Sequence, residues 1–146
     1  ALVIEAVSSH MIEKKSGKIV NIASVAGRQG NPNFPHYSTS KAAVINLTQA
    51  YALGLAPYNI NVNAICPGLI WTPLWESIGL RAKTTESQMS ELSAREVFDT
   101  RVEALIPLKR EQTPQDIGNT IAFLVSDHAR NITGQAINVD GGLRMN

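Results

Sequence analysis

A serine, a tyrosine and a lysine in this chain have the residue types needed to move a proton to or from an alcohol. Tyr37 and Lys41 are one helical turn apart, so on a helix they lie on the same face. A tyrosine hydroxyl is a weak acid, and a neighbouring ammonium stabilises its phenolate form. Ser24 stands at the end of an apolar run and could orient a substrate oxygen by a hydrogen bond. The tyrosine–lysine pair alone is more typical of a solvated helix surface, but the serine and the loop after the second predicted strand favour an acid/base site.

The elements that must position these residues alternate between strands and helices. The apolar patterns predict helix 2–15, strand 18–24, helix 36–55, strand 60–66, one or two lid helices over 73–108, a helix from the N-cap Thr113 and Pro114 to about 126, and strand 136–139. Strands that alternate with helices of this length predict an α/β fold with a parallel sheet.

A proline–glycine pair ends the second predicted strand and begins a loop that runs to Thr72. Ligands of parallel α/β sheets bind outside the carboxyl ends of the strands, and Pro67 and Gly68 stand at such an end. The two residues turn the chain and leave main-chain groups free to approach a flat ring. Thr72 precedes Pro73, so it is also a suitable N-cap for the next helix, and the two roles are compatible.

Four segments of the chain resemble the short-chain dehydrogenase/reductase family. They are GKIVNIASVAG (17–27), YSTSK (37–41), NVNAICPGLIWT (61–72) and NITGQAINVDGG (131–142). The resemblance implies that Tyr37 is the catalytic acid/base, that Ser24 orients the substrate, and that Lys41 supports the tyrosine and grips the nicotinamide ribose. It also implies NAD or NADP as the cofactor, with the hydride passing between the cofactor and the carbinol carbon.

The resemblance extends to the cofactor site. The residues that it implies bind the cofactor are Tyr37, Lys41, Pro67, Gly68, Ile70 and Thr72. Of these, the main chain around Ile70 and the side chain of Thr72 would hold the nicotinamide carboxamide.

The beginning of the chain lacks the family's glycine-rich turn for the cofactor phosphates. Neither Gly-x-x-x-Gly-x-Gly nor Gly-x-Gly-x-x-Gly occurs there. Residues 1–15 instead resemble the family's fourth helix, with an apolar face formed by Leu2, Ile4, Val7, Met11 and Ile12. We therefore expect residues 1–146 to be a single-domain fragment, the C-terminal part of a Rossmann-type doubly wound parallel sheet. The residue that selects NAD or NADP would lie outside it, and NAD is slightly favoured.

Three residues are candidates for the substrate side of the site. Asn31, in a Gly-Asn-Pro turn, could hydrogen-bond a polar substrate, although asparagine is common in turns for conformational reasons. Leu74 and Trp75 begin a segment that resembles the lid of the diol and polyol branch, including acetoin/butanediol and sorbitol dehydrogenases. They would close an apolar wall over a small substrate. The alternative for Trp75 is an anchor that holds the lid to its own core.

Three functions are consistent with these features. The leading one is the interconversion of a small secondary alcohol, diol or polyol and its ketone with NAD(P). The second is the reduction of 3-oxoacyl thioesters of an acyl carrier protein, which a basic surface patch would favour, and no such patch is evident. The third is a non-catalytic fragment or assembly module. By resemblance the parent enzyme is a homotetramer that uses helix 36–56 and the C-terminal strand as interfaces.

Composition argues against several other classes. A formal net charge of +1 does not indicate the excess of lysine and arginine that is typical of a nucleic-acid-binding domain. No stretch approaches the roughly 20 apolar residues that span a bilayer, and no secretory signal is expected. The three histidines have no metal-ligand spacing, so no metal is expected. The single cysteine, Cys66, ends an apolar strand and is predicted to be a buried small hydrophobe in a reducing cytoplasm.

Overall fold

The computed structural model describes residues 1–145 and contains the predicted elements in the predicted order. Their bounds are α1 Leu2–Lys14, β1 Gly17–Ile22, α2 Pro35–Leu55, β2 Ile60–Pro67, α3 Pro73–Thr85, α4 Ala94–Leu105, α5 Pro114–Val125 and β3 Ala136–Val139. The lid segment therefore contains two helices, α3 and α4. The prediction of an α/β fold with a parallel sheet is confirmed.

The three strands form one parallel sheet in the order β1-β2-β3. Gly17 pairs with Ile60 where β1 begins, and Ala64 pairs with Ala136 where β3 begins. β2 is central, and every residue before Pro67 is buried, as expected for a strand that is covered on both faces. Within residues 1–145, β1 pairs with a strand on one side only.

Helices cover both faces of this sheet. Successive residues of β2 point to opposite faces, so Val62 and Ile65 belong to different cores. Val62 packs with Ala52 of α2, whereas Ile65 packs with Ile117 and Leu124 of α5. The arrangement is that of a doubly wound sheet, with its core divided between the two faces.

Helix α1 turns only part of its apolar run toward the sheet. Ile4 is buried, and Met11 and Ile12 pack against the same cluster. Leu2 and Val7 are exposed, at 81% and 40% of their surface. The predicted apolar face is therefore confirmed for Ile4, Met11 and Ile12, and wrong for Leu2 and Val7.

The first strand ends at Ile22, so the prediction that it extends to Ser24 is wrong. The Ala23 N–H still donates to the carbonyl oxygen of Ile65 at 2.8 Å. The Ser24 hydroxyl then accepts the N–H of Ala26 at 3.1 Å and begins a 3₁₀ turn over Val25–Gly27. A serine side chain competes with the sheet for nearby main-chain groups, which accounts for the early end of the strand.

The predicted start of the last helix is confirmed. Thr113 is the N-cap of α5, and its hydroxyl accepts the Asp116 N–H at 3.2 Å. The Asp116 carboxylate accepts the Thr113 N–H at 2.8 Å in return, and this bond lowers the pKa of Asp116. Pro114 occupies the first helical position, where its missing N–H costs nothing.

Two buried asparagines of β2 fix the segment that leads into β3. The Asn61 amide nitrogen donates to the carbonyl oxygens of Arg130 and Ile132, at 2.9 and 3.0 Å. Asn63 donates to Ile132 at 2.8 Å and accepts the Gln135 N–H at 3.0 Å. Buried amides are hydrogen-bonded in native proteins, and here the bonds set the path of the chain into the third strand.

Cys66 is fully buried near the end of β2, as predicted. Burial raises the pKa of its thiol, because the charged thiolate is disfavoured away from water. A neutral thiol in this position contributes packing and is a poor nucleophile.

Candidate active site

The carboxyl end of β1 presents the predicted serine. Ser24 is 9% exposed and lies just beyond the strand. Its hydroxyl oxygen accepts the Ala26 N–H, which fixes the direction of the side chain. The hydroxyl proton is still available, because a serine can donate one bond while it accepts another. Ser24 can therefore donate a hydrogen bond to an oxygen atom at this end of the sheet.

Tyr37 and Lys41 lie on one face of α2. The Lys41 Nζ atom is 5.8 Å from the centroid of the Tyr37 ring. The same ammonium donates a hydrogen bond of 3.1 Å to the carbonyl oxygen of Ile22, the last residue of β1. Lys41 thus joins the helix to the strand end that carries Ser24. Within residues 1–145 the Tyr37 hydroxyl makes no hydrogen bond to a protein group.

Gly27 allows the turn after Ser24 to pack directly on α2. A Cβ atom at this position would lie 2.7 Å from the main-chain carbonyl carbon of Lys41 and 2.8 Å from the amide nitrogen of Ala42. Main-chain atoms of a helix cannot move aside, so a glycine is required there. Gly27 is not among the predicted site residues, because the approach of two distant segments leaves no signal in the local sequence.

We expect Gly27→Ala to lower the free energy of unfolding by about 1–3 kcal/mol, because the methyl group overpacks a contact between main-chain atoms. The measurement is the midpoint of urea unfolding. Gly30→Ala is the matched control, since no atom lies within 4 Å of a Cβ built there. Its effect should stay within about 0.5 kcal/mol. Equal effects at the two glycines would contradict the role given to Gly27.

The loop that follows β2 is held at its beginning. The Gly68 N–H donates to the carbonyl oxygen of Val139 in β3 at 3.0 Å. A Cβ atom on Gly68 would lie 2.8 Å from the Cα atom of Asp140, so this glycine permits a close approach to the chain after β3. Pro67, the last residue of β2, is half-buried beside it. The proline–glycine pair thus turns the chain at the carboxyl end of the sheet.

Two polar groups farther along the loop make no hydrogen bond to protein atoms in the described part of the chain: the N–H of Ile70 and the hydroxyl of Thr72. Thr72 occupies the predicted N-cap position of α3, but its side chain makes no capping bond. The Ile70 side chain packs against the cluster around Ile65, which holds its main chain in place. Ile70 and Thr72 are half-buried, so both groups are open to a hydrogen bond with a ligand or with water.

The predicted substrate-side residues have three different environments. The Asn31 side-chain oxygen accepts the N–H of Asn33 at 2.9 Å, which is the conformational role of an asparagine in a turn. Leu74 is 55% exposed in the first turn of α3. The Trp75 ring packs edge-to-face on Phe98, with centroids 5.2 Å apart, which is the anchoring role. A surface role toward substrate thus remains available to Leu74.

A groove of about 450 Å³ lies beside this site. It runs between the turn after Ser24 and the first turns of α2, and Asn31 is part of its lining. The lining does not include Ser24, Tyr37 or Lys41. The role of Asn31 toward a substrate stays a prediction.

The lid helices are anchored by an aromatic core. Phe98 of α4 is fully buried, with Trp71 and Trp75 packed edge-on against it at centroid distances of 5.3 and 5.2 Å. Leu69, Val102 and Ile106 are the other buried members of this cluster. Trp71 belongs to the loop after β2, so the lid and this loop share one core.

Residues 1–145 include no helix that is long and apolar enough to cross a membrane. In the same part of the chain no cluster of histidine, cysteine, aspartate and glutamate side chains could hold a metal ion.

These features define a class of protein: a doubly wound α/β sheet with a serine, a tyrosine and a lysine at the carboxyl ends of its strands. A family model described as enoyl-(acyl carrier protein) reductase matches residues 1–144. The chain belongs to the short-chain dehydrogenase/reductase family.

The chain is similar to proteins of several names within that family. It is 40% identical over 141 residues to the 3-oxoacyl-[acyl-carrier-protein] reductase FabG of Thermotoga maritima, covering 97% of this chain and 51% of the relative. The crystal structure of NAD⁺-bound xylitol dehydrogenase is 39% identical, with a TM-score of 0.84 over 96% of this chain and 54% of that one. The crystal structure of actinorhodin polyketide ketoreductase with NADPH is 40% identical, with a TM-score of 0.80 over 91% of this chain and 49% of that one. The chain thus spans about half the length of these relatives.

Proposed function

We propose that this chain is the C-terminal part of a nicotinamide-dependent oxidoreductase that interconverts a secondary alcohol and its ketone. The observation that carries the proposal is the position of Lys41, whose ammonium joins the Tyr37 face of α2 to the strand end beside Ser24. Membership of the family supports the proposal, and so does the coverage of about half of each relative. The term full-length enzyme denotes the subunit of which this chain would be the C-terminal part.

The three residues divide the proton chemistry between them. Ser24 donates a hydrogen bond to the substrate oxygen and fixes its direction. Tyr37, as a phenolate, takes the proton of the substrate hydroxyl during oxidation, and as a phenol it gives the proton to the carbonyl oxygen during reduction. Lys41 stabilises the phenolate by its positive charge one helical turn away. The bound nicotinamide supplies the hydride chemistry at the carbinol carbon, which completes the transfer of two electrons.

The loop between Pro67 and Thr72 fits a nicotinamide carboxamide. This planar group has one acceptor and one donor end, and the unpaired Ile70 N–H and Thr72 hydroxyl offer the matching partners. Gly68 allows the main chain of the loop to lie close to the end of the sheet. Lys41 keeps two further N–H donors for the ribose, since one is bound to Ile22. The relatives contain NAD⁺ in one case and NADPH in another, and we slightly favour NAD.

A small diol or polyol is the leading substrate. The likeness to xylitol dehydrogenase supports it, as does an exposed Leu74 at the start of the lid, where an apolar wall can close over a small molecule. A 3-oxoacyl thioester is the second candidate, because the relative from Thermotoga maritima carries that activity in its name.

A substrate panel tests the proposal on the full-length enzyme. Butane-2,3-diol, xylitol and an acetoacetyl thioester are each assayed with both cofactors in the direction that produces or consumes reduced nicotinamide. We expect kcat/KM for a diol or polyol to exceed that for the thioester by at least about tenfold, which corresponds to roughly 1.4 kcal/mol at the transition state. The opposite ratio would favour the second candidate. No turnover of any of the three would overturn the proposed function.

The full-length enzyme is expected to be a homotetramer. The outer sides of α1 and α2 expose large apolar residues, with Leu2 and Leu53 about as exposed as each other, at 81% and 80%. Of the two, Leu53 lies on α2, and an exposed apolar side chain there is available to the interface predicted for helix 36–56. Light scattering should give a mass of four subunits, and a mass of one subunit would contradict the expectation.

A further inference from the structure

One residue of the loop after β2, Leu69, is held by hydrogen bonds through both of its main-chain groups. The Leu69 N–H donates to the side-chain oxygen of Gln112 at 2.8 Å. The N–H of Gln112 donates to the Leu69 carbonyl oxygen at 2.9 Å. Both main-chain groups of a single loop residue are therefore held by a single residue that lies between α4 and α5.

Gln112 is buried, and both the oxygen and the nitrogen of its side-chain amide are hydrogen-bonded. It is 5% exposed, and its amide nitrogen donates to the carbonyl oxygen of Arg110 at 3.2 Å. Leu69 is 6% exposed, so its N–H has little access to water if Gln112 is removed. A buried donor that loses its partner carries the full desolvation penalty, and the surrounding chain moves to relieve it.

Glu111, the residue before Gln112, bonds to the lid helix α4. Arg95 of α4 donates two hydrogen bonds to the Glu111 carboxylate, at 2.8 and 3.3 Å. The Arg95 guanidinium also lies over the Trp71 ring, 5.2 Å from its centroid. Glu111 and Gln112 thus link the lid helix and the loop through two consecutive residues.

We propose that Gln112 is a positioning residue that sets the main chain of the loop so that the Ile70 N–H meets the nicotinamide carboxamide. This inference rests on the proposed function. Ile70 follows Leu69 directly, so a shift of the Leu69 peptide moves the Ile70 N–H with it. Gln112 does not contact the cofactor, and its effect is transmitted by the two bonds to Leu69.

Gln112→Met tests the inference in the full-length enzyme, because methionine keeps the length and apolar volume of the side chain and removes the acceptor. Three quantities are measured: hydrogen exchange of the Leu69 amide, the NADH dissociation constant from nicotinamide fluorescence, and the separate values of kcat and KM. We expect exchange at Leu69 to become at least about tenfold faster and NADH binding about tenfold weaker. The KM for the cofactor should rise with the dissociation constant, while kcat changes less than about threefold.

Gln115→Met is the matched control. Gln115 lies in the first turn of α5, is exposed, and bonds only to Asn119, at 2.8 Å, within the described residues. All three quantities should stay at the values of the unmodified enzyme. Equal changes in the two variants would overturn the assignment to Gln112, and so would unchanged NADH binding in Gln112→Met.

A measurement on the unmodified enzyme keeps the inference testable if Gln112→Met does not fold. The Leu69 amide should exchange at least about tenfold more slowly than the Trp71 amide, which makes no main-chain bond in the described residues. Equal exchange at the two amides would contradict the protection of the Leu69 N–H by Gln112. Failure of the proposed function gives a different result, because the unmodified enzyme would then bind no nicotinamide while the exchange difference persisted.

Discussion

Replacement of Tyr37 by phenylalanine is expected to lower kcat of the full-length enzyme by about 10²–10⁴-fold, which is the contribution typical of a positioned acid/base. Phenylalanine keeps the ring that lies near Lys41 and removes only the hydroxyl. Because that hydroxyl bonds to no protein group within residues 1–145, the fold should not change. The NADH dissociation constant should therefore stay within about threefold of its original value, since a change in kcat alone marks a group that acts in the transition state.

Tyr51→Phe is the matched control on the same helix. The Tyr51 hydroxyl donates a hydrogen bond of 2.9 Å to the carboxylate of Glu5 in α1, and its ring packs against the cluster that contains Ile60, where β2 begins rather than where it ends. Its removal should leave kcat within about twofold, because a surface bond of this kind contributes little. A Tyr37→Phe enzyme that turns over at the normal rate would remove Tyr37 from the mechanism.

Replacement of Phe98 by alanine is expected to lower the free energy of unfolding by about 3–5 kcal/mol, the range for a fully buried phenylalanine. Phe98 is 0% exposed and supports Trp71 and Trp75 by edge-on contacts, so its loss leaves a cavity between the lid and the loop after β2. Proteins of this size have only about 5–15 kcal/mol of net stability, so the change is a large fraction of the total. Urea unfolding measures it.

Phe123→Ala provides the comparison for the same chemical change at the surface. Phe123 is 45% exposed on α5. Its removal should cost less than about 1 kcal/mol. A loss below about 1 kcal/mol for Phe98→Ala as well would show that the lid core is not packed around this ring.

Local sequence was sufficient for most of the elements. Apolar periodicity predicted β3 at its observed bounds, and Thr113 with Pro114 predicted the start of α5, because caps and periodicity are properties of neighbouring residues. The end of β1 was predicted wrongly, since the choice between the sheet and a turn at Ser24 depends on one hydroxyl bond to Ala26. Such a hydrogen bond forms only as the chain folds, so the local sequence does not show where the strand will end.

The candidate site was accessible from sequence only where its residues are close in the chain. The spacing of Tyr37 and Lys41 predicts one helix face, and the two side chains lie on it. The contact between Gly27 and α2, and that between Gln112 and Leu69, join segments that are distant in sequence. No period or short motif encodes such contacts, because they arise when the sheet and the lid pack together.

The unpaired side of β1 has a consequence for handling the protein. Alternate residues of Gly17–Ile22 present a row of main-chain donors and acceptors along that side, within the part of the chain that the structure describes. Such a row is a template for any extended segment, including the same strand of another copy, and is a recognised route to aggregation. A polypeptide limited to these residues would therefore be prone to self-association. A segment that adds a neighbouring parallel strand would pair with the open side of β1 and so prevent this self-association.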